Sequence, residues 1–301
     1  MTAAGMVRLS DGCLHADIWP ANGGRIAGFF SLHGEDRFDW MVPAPASDID
    51  SGASGSWGSF PLVPFSNRIR DGRFAWSGRE HRISVSEQHA PHAIHGHGRN
   101  RSWTVERRTG TSLDLTYDHE GDDWPFAYRA RQRFALEGEE LVVEMTLVNT
   151  GTESMPGGLG HHPYLPWRDG IVLETNFGNV WPAADGILPA GPETVPETLD
   201  FSSGRPVPRG LDTGFGGWSG RARIHLPGDG LALDIECSPA LGHVIIFTPA
   251  GEDFFCFEPV THAIDAINLA ARGVPETGQV AVAPGEGLEV SMRFRPRVIA
   301  D

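Results

Sequence analysis

Lysine is absent from this chain: all 24 of its basic residues are arginines, in a sequence of 301 residues. That excludes a lysine Schiff base, a pyridoxal phosphate anchor and the lysine of a P-loop. Cysteine is scarce. Cys13, Cys237 and Cys256 form no CxxC pair and leave an odd thiol, which excludes a disulfide framework and a cysteine-rich zinc site and fits a reducing cytoplasm. Positive charge is in deficit, with a formal net charge of −15. Phosphate backbones are bound by clustered cations that release counterions, so no nucleic-acid partner is expected and the acidity is read as solubility. No apolar run approaches the length that spans a bilayer, and MTAAGMVRLSDG at the start lacks the basic-then-apolar order of a secretion signal. A cytoplasmic protein with no membrane association is the expectation.

What the sequence does hold is punctuation. Its 38 glycines and 23 prolines separate short apolar runs with no repeat among them. Strand patterns occur at 112–118, 128–136, 141–149, 222–227, 231–237, 243–249 and 288–296. Glu137-Gly138-Glu139-Glu140 reads as a hairpin turn and Asp71-Gly72 as a second turn. Helical periodicity is confined to 265–271. Many short strands without intervening helices predict an all-β fold, a large antiparallel β-sandwich, with residues 1–301 as one domain. The stretch from Asn179 to Gly220, rich in Pro, Gly, Asp and Thr, is read as a long loop region over one face.

Four segments carry residues suited to chemistry. SNRIRDGRF (66–74) offers Asn67 and Arg68, the arginine as a possible guanidinium fork or a solvated strand-edge residue. EQHAPHAIHGHGRNRSW (87–103) offers four histidines, but Pro91, Gly96 and Gly98 prevent a helix from aligning them as ligands, so no metal site is assigned. The glycines around His97 are read as letting the backbone approach a bound molecule. GLGHHPYLP (158–166) places two histidines side by side, and on a strand vicinal side chains face opposite ways, so one of them at most faces a given site. DFFCFEPVTHAIDAIN (253–268) delivers Glu258 at the end of an apolar run, where partial burial would raise its pKa toward the range of a general base. Acid, base, hydrogen-bond donors and the aromatics Trp57, Phe65, Trp103, Tyr164 and Trp181 are what a sugar ligand requires, and no activated nucleophile accompanies them.

With these segments in view, the sequence resembles the aldose 1-epimerase (galactose mutarotase) family. The matches, in order, are PFSNRIRDGRF (64–74), AIHGHGRNRSW (93–103), GLGHHPYLP (158–166), RGLDTGF (209–215) and FCFEPVTHAIDAIN (255–268). The likeness runs from about residue 15 to 296. It implies one mutarotase-type sandwich, with the family's catalytic glutamate on Glu258 and its central histidine on His162. The same likeness puts sugar-binding residues on Arg68, Asn67, His95 and Asp212. His161-His162-Pro163-Tyr164 and Glu258-Pro259-Val260 depart from the best-known members, which carry Asn-His-x-Tyr and Glu-Pro-Gln, and this places the chain nearer a divergent mutarotase-like branch.

The implied reaction interconverts the α and β anomers of a free aldose without cofactor or metal. Glu258 takes the anomeric hydroxyl proton while His162 protonates the ring oxygen; proximity to the glutamate is expected to favour the imidazolium. A non-catalytic carbohydrate-binding sandwich, or a glycoside hydrolase using Glu258 with Asp212, are the alternatives. The expected partner is a small-molecule sugar, with the chain as a monomer or homodimer. His162→Asn is expected to cost most of the activity and His161→Asn to be tolerated.

Overall fold

The computed structural model describes residues 5–45 and 57–299. The first four residues of the stretch read for a secretion signal lie outside them. Two large antiparallel sheets dominate. The first runs Val7–Asp11, Leu14–Trp19, Arg25–His33, Ser59–Leu62, Gly160–Pro166, Phe254–Val260, His243–Phe247, Asp212–Gly216, Asn179–Trp181, with Asp36–Met41 also on Arg25–His33. The second runs Thr104–Arg108, Ser112–His119, Tyr128–Glu137, Glu140–Asn149, Gly287–Val298, Leu231–Cys237, Arg221–Leu226, Val172–Thr175, Arg205–Pro206. All seven predicted strands are present, and Glu137 pairs with Glu140 across a turn in which Gly138 takes the positive φ such turns demand.

The main core lies where the sheets face each other. Leu165, Phe255 and Phe257 of the first sheet share one apolar cluster with Phe134, Val143, Leu233, Met292 and Phe294 of the second. Period-two alternation then fixes the other face. Along Phe254–Val260, Phe255 and Phe257 enter this core, whereas Phe254 and Cys256 belong to a second cluster with Phe60, Leu62, Tyr164 and Ile245, beneath the functional cleft.

The loop expected over 179–220 is corrected. It contains Asn179–Trp181 and Asp212–Gly216, both ladder members of the first sheet. Glycines that read as loop residues are strand residues because neighbours press against them: a Cβ on Gly216 would lie 2.9 Å from Trp181 Nε1. The helical stretch is one short helix, Ala266–Ala271. Among the described residues no helix is long and apolar enough to cross a membrane.

Candidate active site

The register of the first sheet builds the centre of the site. Gly160 pairs with Val260 and Tyr164 with Cys256, so His162 stands directly across from Glu258 on the adjacent strand. Both side chains leave the same face, and His162 Nε2 lies 3.2 Å from Glu258 Oε1. The imidazole is wedged between rings, 4.6 Å from Phe60 and stacked at 4.7 Å on Tyr164. These residues floor a cleft of about 620 Å³ walled by Trp57, Phe247 and Phe254.

The same cleft receives all six residues to which the family likeness gives a catalytic or sugar-binding role: Asn67, Arg68, His95, His162, Asp212 and Glu258. Asn67 and His95 sit in the left-handed backbone region, φ 50° and 63°, and hold one another. The Asn67 N–H donates to His95 Nδ1 (3.2 Å) and the His95 N–H to Asn67 O (2.8 Å). With Nδ1 accepting, the proton of neutral His95 is on Nε2, making the ring a donor. Asn67 Oδ1 accepts from Arg68 N (2.9 Å) and Nη1 (3.2 Å), so its first task is to aim that guanidinium. The Asp212 carboxyl makes no hydrogen bond with the described residues.

Electrostatics in the cleft are governed by burial. Desolvation, followed by the Asp212 charge, pushes the Glu258 carboxyl well above the usual carboxylate range. Desolvation and then the Arg99 charge pull His162 down to about 3. Burial thus works against the imidazolium expected from proximity to Glu258, because it disfavours the charged form of each group. His95 is lowered too, by burial and Arg99, while burial raises Asp212.

His161 faces the other way and is fully buried. Its Nδ1 contacts Ser59 Oγ at 2.6 Å and its Nε2 contacts Gln132 Oε1 at 3.1 Å; Gln132 Nε2 in turn donates to Gly24 O. Gln132 belongs to the second sheet, so the imidazole is a polar tie between the two layers. Tolerance of His161→Asn does not fit that role.

The four-histidine segment disperses. His95 and His89 line the cleft, His92 Nδ1 accepts from the Asp71 N–H, and His97 packs behind the site against His119 and Tyr128. The glycines around His97 serve the chain itself, not a ligand: side chains at Gly96 or Gly98 would overlap Val63. Of the aromatics, Trp57 and Tyr164 reach the cleft, whereas Phe65, Trp103 and Trp181 are core. A set able to hold a metal ion is His162, Cys256 and Glu258, with donor atoms within 4.8 Å of one another.

Sequence reasoning assigned no role to Arg25, Arg99, Phe60 or Asp265. Asp265 accepts the Arg70 N–H at 3.0 Å and gives its own N–H to Arg68 O, fixing the Arg68 turn from below. A buried acid in a quoted motif was the available signal. The arginines carried none, because only the fold brings residues 25 and 99 to the same wall.

Fold and site together define an antiparallel β-sandwich with a polar, aromatic-walled cleft centred on an imidazole–carboxyl couple. The family model described as aldose 1-epimerase matches residues 22–295, and the chain belongs to that family. Among curated proteins it is similar to the uncharacterized protein YphB of Escherichia coli K12, 35% identical over 95% of this chain and 97% of the relative. Among solved structures, one from Escherichia coli K12, provisionally described as an aldose 1-epimerase, superimposes with TM-score 0.85 at 31% identity, covering 98% of this chain and 99% of its own. A galactose mutarotase-like protein of Clostridium acetobutylicum shares the fold, with TM-score 0.82 at 17% identity over 98% and 95% of the two chains.

Proposed function

We propose that the protein is a cofactor-independent aldose 1-epimerase, acting on a free aldose in the cleft between Trp57 and Phe60. The observation that carries this reading is the His162–Glu258 couple, 3.2 Å apart on neighbouring strands and buried at the cleft floor. Ring opening needs a base at the anomeric hydroxyl and an acid at the ring oxygen simultaneously, and this couple supplies both. Arg68, the Nε2–H of His95 and the carboxylate of Asp212 supply donors and an acceptor for the ring hydroxyls. Asn67 acts chiefly by aiming Arg68.

The shift of both groups toward their neutral forms by burial fits the cycle. Neutral imidazole with protonated carboxyl and imidazolium with carboxylate contain the same number of protons and differ by one transfer within the couple. In the charged form Glu258 takes the anomeric proton while His162 protonates the ring oxygen, leaving the open aldehyde over a neutral couple. The carbonyl then turns, and the transfers reverse to close the ring on its other face. Burial, by favouring the neutral couple, stabilises the state that holds the open chain.

Polarimetry of freshly dissolved α-anomers tests the reading, over a panel of aldoses with and without a 6-substituent. Added protein should speed the approach to anomeric equilibrium, and Glu258→Gln should cut that rate about 10²–10⁴-fold while sugar still binds. Binding without acceleration for any aldose would make this a carbohydrate-binding sandwich. Release of reducing sugar from a glycoside would make it a hydrolase.

A further inference from the structure

The first sheet lays out the floor of the cleft as a grid. Phe247 pairs with Asp212 on one side and with Cys256 on the other, and Cys256 pairs in turn with Tyr164. Cys256 and Glu258 are two residues apart on one strand, so both side chains leave the face on which Glu258 meets His162. Ring opening uses the imidazole and the carboxyl and leaves the thiol idle. Yet the three side chains converge, with donor atoms all within 4.8 Å of one another. Cys256 belongs to the apolar cluster beneath the cleft, whereas His162 and Glu258 line the cleft itself.

Two of the three carry donor capacity that no described residue satisfies. Glu258 Oε2 and His162 Nδ1 are out of contact with solvent and without a hydrogen-bond partner, on residues only 2% and 5% exposed. One sulfur, one imidazole nitrogen and one carboxylate oxygen are a donor set for zinc and other thiophilic ions. Magnesium and calcium, which take shells of oxygen, are disfavoured by it. A tetrahedral zinc ion sets its ligand atoms about 3.5 Å apart, so the trio closes on one with a shift of about 1 Å. Thiolate and carboxylate together match the charge of a divalent ion, the thiol proton passing to solvent as the metal binds. Three protein ligands leave a fourth position, which here opens on the cleft.

We propose that His162, Cys256 and Glu258 form an inhibitory site for a thiophilic divalent cation, zinc in its simplest form. Coordination occupies the lone pairs that the acid–base couple needs for proton transfer, and the ion stands at the cleft floor where the sugar would react. The inhibition rests on the epimerase reading above, whereas binding is measured without turnover.

Cobalt and zinc ions are the probes. In a protein carrying Cys13→Ser and Cys237→Ser, Co²⁺ should raise one equivalent of a thiolate-to-cobalt charge-transfer band in the near ultraviolet, and Zn²⁺ should abolish it. Adding Cys256→Ser should remove the band and weaken Zn²⁺ binding, measured by isothermal titration, at least about tenfold. Cys256→Ala serves in its place if serine disturbs the buried cluster. Zn²⁺ should suppress mutarotation by the wild-type protein in competition with the aldose, and Cys256→Ser should stay active and withstand at least about tenfold more Zn²⁺. No band in the parent, or Zn²⁺ affinity unchanged by replacing Cys256, would overturn the site. Full mutarotation by the zinc-loaded protein would overturn the inhibition. Cys256-dependent binding in a protein that accelerates no mutarotation would leave the metal site standing and refute the epimerase, and mutarotation without such binding would do the reverse.

Discussion

The adjacent histidines offer a sharp test, because the fold assigns them unlike tasks. In His161→Asn, the shorter side chain reaches neither Ser59 Oγ nor Gln132 Oε1, and both partners sit in the interior at 0% and 1% exposure. A buried polar group left without its partner costs about 1–3 kcal/mol, and the missing ring volume adds to that. The sum is about 3–5 kcal/mol. For a chain of this size 1 kcal/mol moves the melting temperature by roughly 1.5–2 °C, so His161→Asn should melt roughly 5–10 °C lower. Assayed well below that temperature, its kcat should stay within about threefold of wild type. His162→Asn should lose about 10²–10⁴ in kcat, since it removes one of the two groups that exchange protons with the sugar. Its melting temperature should fall less, by the loss of ring contacts with Phe60 and Tyr164, about 1–2 kcal/mol. Calorimetry and polarimetry on the two variants check this. A His161→Asn protein that melts within about 2 °C of wild type, or is folded yet as inactive as His162→Asn, would refute the division of roles.

Three further outcomes follow from the same physics. The active couple holds one transferable proton, so kcat/KM should hold level from about pH 4 upward and decline on the alkaline side as Glu258 loses its raised proton; these limits belong to the pair, and an acid-side fall with its inflection near 6.5 would show an ordinary imidazole instead. His161 is held near 3 and His262 near 4 by burial, so below pH 6.5 the unfolded chain takes up protons that the folded chain refuses. Stability should therefore fall with falling pH, by about 2 kcal/mol per group at pH 5, and a constant melting temperature between pH 7 and 5 would contradict it. Gly96→Ala should sharply lower both melting temperature and activity, because φ is +65° and the added methyl would overlap Val63 O while displacing the neighbouring His95.

Several features of the molecule are written in local chemistry. Alternation in LVVEMTLVN and LALDIEC marks strands, the Gly138 turn marks a hairpin, and the apolar run before Glu258 marks a buried acid. Alternation also implies that His161 and His162 part company. Each is a property of a few consecutive residues, which is what periodicity and turn chemistry report. Asn179–Trp181 and Asp212–Gly216 are not legible as strands in the same way, because their glycines and short length are explained only by neighbours distant in sequence.

What the sequence determined by itself was the class of fold, the family likeness and the residue types from which an acid–base site is made. Tertiary structure decided the rest. The register across residues 162 and 258 placed acid beside base, the burial of both at the cleft floor shifted each toward its neutral form, and the close approach of the chain at Gly23 set Arg99 against the cleft. Register, desolvation and charge balance depend on what lies opposite a residue in space, and no window of the sequence contains that neighbour.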